Sequence, residues 1–450
     1  MKNSEIIKKA NSIVPSKAQL DFCGLEFIAL IPYGMNTYTN SETGTGREPE
    51  KYFNPPELDV SQWVRVVKNA GMKALVLTCK YTDGFCLWPS EQTEYSVKNS
   101  PWMDGNGDIV KLVSDECRKA DLKFGIYISP YDMHEPTFGT DDYNKFFVNQ
   151  LKELLTNYGD ICCVWFPRDN KTNFRYNWAS YYQTVRELQP NAVIIECGPD
   201  IRWVGNSGSF ARSQEWNVVP FNLLNNAPIK RIVEQDLGSR KVIKKAEELV
   251  WYPPITYTSL RKGMFYHQEE EADIKMLSNI LDIYFNSVGN NGMLAISVPP
   301  SHLGTIDKSD VDSLTTLGIQ LGIEFKENFA EGGEFTASSE RDELHSAKMA
   351  GDEKSYWASS ETDEDITLTL DMGKVNFINK IVLGENTATG QQIEKFNLYY
   401  YFDKKWNKIY SGKTIGRKKI CNLSPMNARR IKLEIKKTRG FATIKTFEVY

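Results

Sequence analysis

Between Leu25 and Leu321 short apolar runs alternate with amphipathic segments, and this alternation constrains the fold more than any other feature of the chain. Residues 25–31, 74–79, 124–129, 161–166, 192–197 and 293–298 are rich in β-branched and aromatic side chains and read as buried strands. Residues 60–70, 108–120, 141–158, 178–188, 271–287 and 311–321 carry apolar side chains at helical spacing. Weaker strand signals at 204–206 and 249–252 bring the total to roughly eight strands, the number in a (β/α)8 barrel. Strand, loop and helix in repetition imply parallel pairing with right-handed crossovers. An α/β fold with a TIM-like barrel over residues 1–325 is therefore expected. The rival, an open doubly wound sheet, lacks its Gly-x-Gly-x-x-Gly after the first strand.

Beyond Leu321 the helical periodicity stops. Gly332-Gly333 and the Ser-rich 337–340 read as a linker, and short runs at 366–370, 378–382, 396–402, 431–435 and 444–449 are separated by turn residues. A small all-β sandwich over residues 326–450 fits. Two domains suit 450 residues. The net charge of -4 comes from mixed charges with no basic block, which argues against nucleic acid as a partner. The eight cysteines show no metal spacing and read as buried hydrophobes; four scattered histidines offer no paired-ligand motif, so no metal is expected in the larger domain. No run is long enough to span a membrane, and residues 1–21 are charged where a signal peptide needs an apolar core.

Function is sought at the carboxyl ends of the barrel strands, where such folds keep their chemistry. The strand at 161–166 delivers Pro167, Arg168 and Asp169 to that rim.

The loop Thr78-Cys79-Lys80-Tyr81-Thr82-Asp83-Gly84-Phe85-Cys86-Leu87-Trp88-Pro89-Ser90 resembles that of the α-L-fucosidases of glycoside hydrolase family 29. Residues 95–102, 154–166, 198–206, 263–267 and 287–300 resemble further segments of the same family. Trp357-Ala358, Leu370-Asp371-Met372-Gly373-Lys374 and Gly390-Gln391-Gln392 resemble a discoidin-type (F5/8 type C) sandwich of jelly-roll form. The resemblance implies a carbohydrate ligand, no cofactor, and a periplasmic or extracellular setting; calcium in the sandwich stays open.

It also implies retaining hydrolysis of an α-L-fucoside, which needs two carboxyl groups about 5 to 5.5 Å apart. The family's Trp-Phe-Asp-Gly carries the nucleophile. Here Trp165-Phe166 is followed by Pro167, which has no group that can attack. The family's acid/base Glu aligns with Ser207, whose hydroxyl is no substitute for a tuned carboxylic acid. The sugar-holding histidines of Lys-His-His-Asp are replaced by Tyr81 and Thr82, and the Phe-Ile-His of the first strand is Leu30-Ile31-Pro32.

Fallback carboxylates are Asp169 and Glu215, with Asp83 and Glu42 behind them, and Tyr81 is a possible aryl-oxide nucleophile. Asp169 also reads as a turn residue, and Glu215 as the partner of Arg202 or Arg212. Glu42, Tyr81, Thr82, Trp88, Trp203 and Arg261 are the expected ligand-binding residues; Trp165 reads as barrel core, and Arg261 equally as a structural ion pair. Three functions follow from these residues: a degenerate homologue that recognises glycans with little or no hydrolysis, an active glycosidase using relocated carboxylates, or a carbohydrate-binding sandwich on an inert barrel.

Overall fold

The computed structural model describes residues 3–168, 172–205, 210–223, 232–270, 273–352 and 354–450. Ten strands belong to the first domain: β1 (Phe27–Ile31), β2 (Ala74–Lys80), β3 (Lys123–Ile128), β4 (Cys163–Phe166), β5 (Val193–Glu196), β6 (Arg202–Trp203), β7 (Val218–Pro220), β8 (Leu249–Trp251), β9 (Pro254–Ser259) and β10 (Met293–Ser297). Eight of them form one parallel sheet in the order β5-β4-β3-β2-β1-β10-β9-β6. A single parallel bridge between Ile195 and Ile201 brings its two ends together. The result is a TIM-like barrel, and its strands alternate in which side they bury. Ile28, Leu30, Val76, Cys163, Trp165, Val193, Ile195 and Ile255 fill the interior. Leu75, Leu77, Val164, Phe166, Ile194 and Ile296 face the surrounding helices.

Four of the described helices around the barrel open on carboxylate or amide caps. Asp59 accepts from Gln62 N, Asp108 from Lys111 N, Asn177 from Ser180 N and Asp307 from Ser309 N. Each cap satisfies a donor the helix leaves orphaned, which stabilises it by about 1 kcal/mol.

The expected barrel strand at 249–252 is a correction. β8 pairs antiparallel with β7, outside the barrel, and the barrel strand is β9. Pro254 is the first residue of β9, a position where a proline is tolerated. The neighbouring signal at 204–206 lies just after the observed β6.

The second domain is built on an antiparallel sheet running Glu334–Ala337, Thr367–Gly384, Lys419–Thr438, Ile393–Phe402 and Lys405–Gly412, with Thr446–Val449 added beside Thr367–Gly384. Its core includes Trp357, Leu368, Leu370, Phe396, Leu398, Ile431 and Phe447. This is the all-β sandwich expected of a discoidin-type domain.

The domains are joined by hydrogen bonds as well as chain. The Gln391 carboxamide accepts from Asn217 N at 2.8 Å and donates to Glu215 O at 2.9 Å. Asn291 of the barrel donates to Glu215 O at 3.2 Å and accepts from Arg417 N at 2.8 Å. Glu26, just before β1, pairs with both Arg417 and Lys418.

Candidate functional site

The barrel's carboxyl-terminal mouth gathers an aromatic cup around one carboxylate. Strand alternation puts Tyr127 of β3, Trp165 of β4 and Tyr257 of β9 on the inner face, with Tyr81 just past β2. Tyr81 stacks beside Tyr127 with ring centroids 6.1 Å apart, Tyr127 lies 6.2 Å from Trp165, and Trp165 meets Tyr257 edge-on at 6.4 Å. Phe265 closes edge-on against Tyr81 at 5.0 Å. Trp203 is in register with Ile255, an inner-face residue, so it shares the interior side and is half-buried there.

The carboxylate is Glu196, the last residue of β5. Phe166 is its register partner across β4, but its side chain crosses instead to the inner Trp165, whose indole Nε1 donates to Glu196 Oε2 at 2.8 Å. Simple alternation after the inner Val193 and Ile195 would send Glu196 outward. Its φ of 66° explains the departure, since a left-handed residue breaks the period-two rule. Burial pushes its pKa up, against the opposing pull of the Trp165 hydrogen bond and the Arg168 charge.

Above the cup two loops are tied together by Glu42. Its Oε1 accepts from His267 Nε2 at 2.7 Å and Phe265 N at 3.1 Å, and its Oε2 from Met264 N at 3.0 Å. His267 Nδ1 reaches Asn40 Oδ1 at 2.7 Å. Thr82 Oγ1 donates to Thr43 O at 2.9 Å, joining the loop after β2 to the same rim. Glu42, Tyr81 and Thr82 are thus brought together. Burial, reinforced by the charges of Glu42, Asp83 and Glu196, raises the Tyr81 phenol far above neutrality. The phenol offered as an aryl-oxide nucleophile therefore rests in its protonated form.

Asp83 lies under the rim, fully buried, accepting from Phe85 N at 3.0 Å. Burial drives its carboxyl up to about 7. Nearby Lys80 is also buried and is spent on Asp132 at 2.7 Å and Gln150 at 2.9 Å. Gly84 makes this turn possible: its φ is 90°, and a Cβ there would meet Asp132 Oδ1 at 2.4 Å.

Three expected site residues stand elsewhere. Glu215 is buried between Arg202 and Arg212, with its Oε2 accepting from Arg212 N at 2.9 Å. Burial works against its charge, but the two guanidiniums outweigh it and hold the pKa low, so it is not a general acid. Arg261 is fully buried, its Nε 2.9 Å from Asp310 Oδ2 and its guanidinium 4.8 Å from the Tyr266 ring; it is a structural ion pair rather than a ligand clamp. Trp88 is buried and donates to Glu153 Oε2 at 2.7 Å, which leaves its ring faces in the core rather than open to a sugar. Pro167 follows Trp165 on the inner side by alternation and is half-buried. Asp169 and Ser207 lie outside the described residues.

Sequence inspection did not single out Glu196, Tyr127 or Tyr257. The available signal was a glutamate closing the otherwise apolar Ala192-Val193-Ile194-Ile195. Among the described residues no group of three or more His, Cys, Asp or Glu has the geometry to hold a metal ion.

Comparison with known proteins agrees with this architecture. The family pattern Alpha-L-fucosidase matches residues 33–324, and F5/8 type C domain matches 334–447. Alpha-L-fucosidase 1 of Arabidopsis thaliana is 34% identical, over 97% of this chain and 87% of the relative. The crystal structure of SpGH29 superposes with a TM-score of 0.90 at 31% identity, covering 98% of each chain. A Ruminococcus gnavus GH29 fucosidase in complex with fucose gives a TM-score of 0.86 at 28% identity, covering 98% of this chain and 95% of the other. With a barrel match spanning most of its first domain and a relative aligned along nearly its whole length, the chain belongs to the α-L-fucosidase family, glycoside hydrolase family 29, and carries an F5/8 type C domain behind its barrel.

Proposed function

We propose that this family member recognises glycans through its barrel mouth and has little or no fucoside hydrolysis. The observation that carries this reading is Pro167, which follows the inner-face Trp165 at the end of β4, where the family motif has its attacking Asp. A covalent glycosyl ester needs a carboxylate at that point, and proline supplies none. Two further features support it. Glu215 is locked by two arginines, and Ser207 replaces the family's acid/base Glu, so neither offers the second carboxyl group of the mechanism. The mouth nevertheless keeps what sugar recognition uses, aromatic faces beside hydrogen-bonding groups. The relatives' names and the F5/8 type C domain support a carbohydrate ligand, and the family relationship supports a periplasmic or extracellular setting.

The test is incubation of the whole chain with 4-nitrophenyl α-L-fucoside beside a panel of other aryl glycosides, together with a glycan array. The expected result is glycan binding with no release of nitrophenol above buffer. Turnover of any aryl glycoside that a single carboxylate substitution abolishes would establish instead an active glycosidase of altered specificity.

A further inference from the structure

We propose that Glu196 is the specificity-determining carboxylate of the barrel mouth, accepting hydroxyl donors from an uncharged polyhydroxylated ring and disfavouring carboxylated or sulfated ones. The inference rests on the reading that the mouth binds glycans and identifies the group that selects among them.

The family motif puts a carboxylate on β4, and this chain has lost it at Pro167. The neighbouring strand β5 brings one back to the same mouth. Phe166 and Glu196 are register partners, so the two strand ends lie side by side. Glu196 adopts φ 66°, a left-handed conformation unfavourable for a non-glycine residue, and with this turn its side chain reaches the inner Trp165. The local backbone is fixed by Glu196 N donating to Ile201 O at 2.9 Å and by Tyr252 OH approaching Glu196 O at 3.2 Å. A purely structural glutamate at a strand end has no need of an inward turn.

Among the described residues the carboxylate is oriented but not saturated. Trp165 Nε1 donates to Oε2, and the Arg168 backbone amide donates to the same carboxyl group. A carboxylate has about four lone-pair sites, so acceptor capacity remains for a ligand. The free lone pairs accept, so the ligand group that meets them is a donor, as a sugar hydroxyl is. Tyr81, Tyr127 and Tyr257 surround it closely enough for its charge to raise all three phenols. Their phenols keep their protons, and the half-buried Tyr81 and Trp203 rings offer apolar surface to a sugar face, while the buried Trp165 orients the carboxylate. Glu42 and Asp83 add negative charge near Tyr81, and Arg168 is the cation whose charge reaches Glu196. A ring that turned its own carboxylate or sulfate toward Glu196 would set charge against charge with no hydrogen between them, whereas a ring hydroxyl at that point satisfies it.

The experiment is an array of neutral glycans printed beside their uronate and sulfated counterparts, probed with the full chain as wild type, Glu196→Gln and Trp165→Phe. Calorimetric titration of a neutral glycoside that the wild type binds accompanies it. Wild type is expected to bind neutral glycans at least tenfold more tightly than the acidic counterparts. Glu196→Gln, near-isosteric and still able to accept from Trp165, should lose at least tenfold in affinity for the neutral glycan and narrow the discrimination against the uronate. Trp165→Phe, which frees the carboxylate to rotate, should weaken binding severalfold with selectivity partly kept. Thermal unfolding of each variant by circular dichroism reads folding separately. Neutral-glycan binding by a folded Glu196→Gln within twofold of wild type, or wild-type preference for acidic glycans, overturns the assignment of Glu196 alone. A wild-type array blank for every glycan overturns the glycan-recognition reading and this inference with it.

Discussion

Arg202 of β6 pairs with Glu215 inside the protein, the arginine side chain 4% exposed and the glutamate not at all, and Arg212 approaches the same carboxylate from the other side at 3.2 Å. Removing the shared anion leaves two buried guanidiniums facing each other. Glu215→Gln is therefore expected to cost about 3–5 kcal/mol of stability in denaturant titration, without changing glycan affinity per folded molecule. A loss under about 1 kcal/mol would show that water reaches the arginines.

The bond between Gln391 and the backbone of residues 215–217 couples the two domains. Gln391→Ala leaves Asn217 N without its acceptor at a buried interface and Glu215 O with Asn291 as its remaining donor. A penalty of about 1–3 kcal/mol is expected, seen in calorimetry as an earlier or split unfolding transition. A single unshifted transition would mean the carboxamide contributes nothing to coupling.

Glu26 makes that coupling acid-sensitive. Burial opposes its charge, but Arg417 and Lys418 prevail and hold its pKa down to about 2, against an ordinary value of 4.5. A depressed folded-state pKa gives stability that is present above about pH 4.5 and lost as pH falls toward 2. Glu26→Gln should be less stable than wild type at neutral pH and converge with it near pH 2, as followed by thermal melts across that window.

Asp83 has the opposite sign. Burial raises its folded-state pKa to about 7, from 3.8, so the unfolded chain releases that proton first and stability falls as pH rises between those values. Asp83→Asn keeps the acceptor for Phe85 N and removes the charge. The variant is expected to match wild type near pH 4 and to exceed it by about 2–4 kcal/mol at pH 7.5, measured by chemical denaturation at both pH values. Equal stability at both would show that Asp83 ionises freely in the fold.

Much of this protein was legible as sequence because its signals are local. The alternation of strand and helix patterns depends on residues within one element, and it identified the barrel. That proline stands where the family motif Trp-Phe-Asp-Gly has its Asp was legible by resemblance, since Trp165-Phe166 marks the position. The strand assigned to 249–252 went astray because an apolar run does not name its partner: Leu249–Trp251 pairs antiparallel with β7, and the barrel pairing falls to Pro254–Ser259, whose partner β10 lies far along the chain.

Side-chain roles were another matter. Trp88, Arg261 and Glu215 are chemically suited to a sugar site, and only their partners Glu153, Asp310 and Arg202 assign them to the framework. The same holds for Glu196, whose φ and contact with Trp165 turn an apparent strand residue into a group of the mouth. The barrel and the sandwich could be read from the chain alone, because periodicity and turn chemistry are carried by neighbours in sequence. Only the tertiary structure decided which carboxylates are neutralised by buried arginines and which one faces the mouth, because burial, charge pairing and side-chain direction depend on residues brought together by folding.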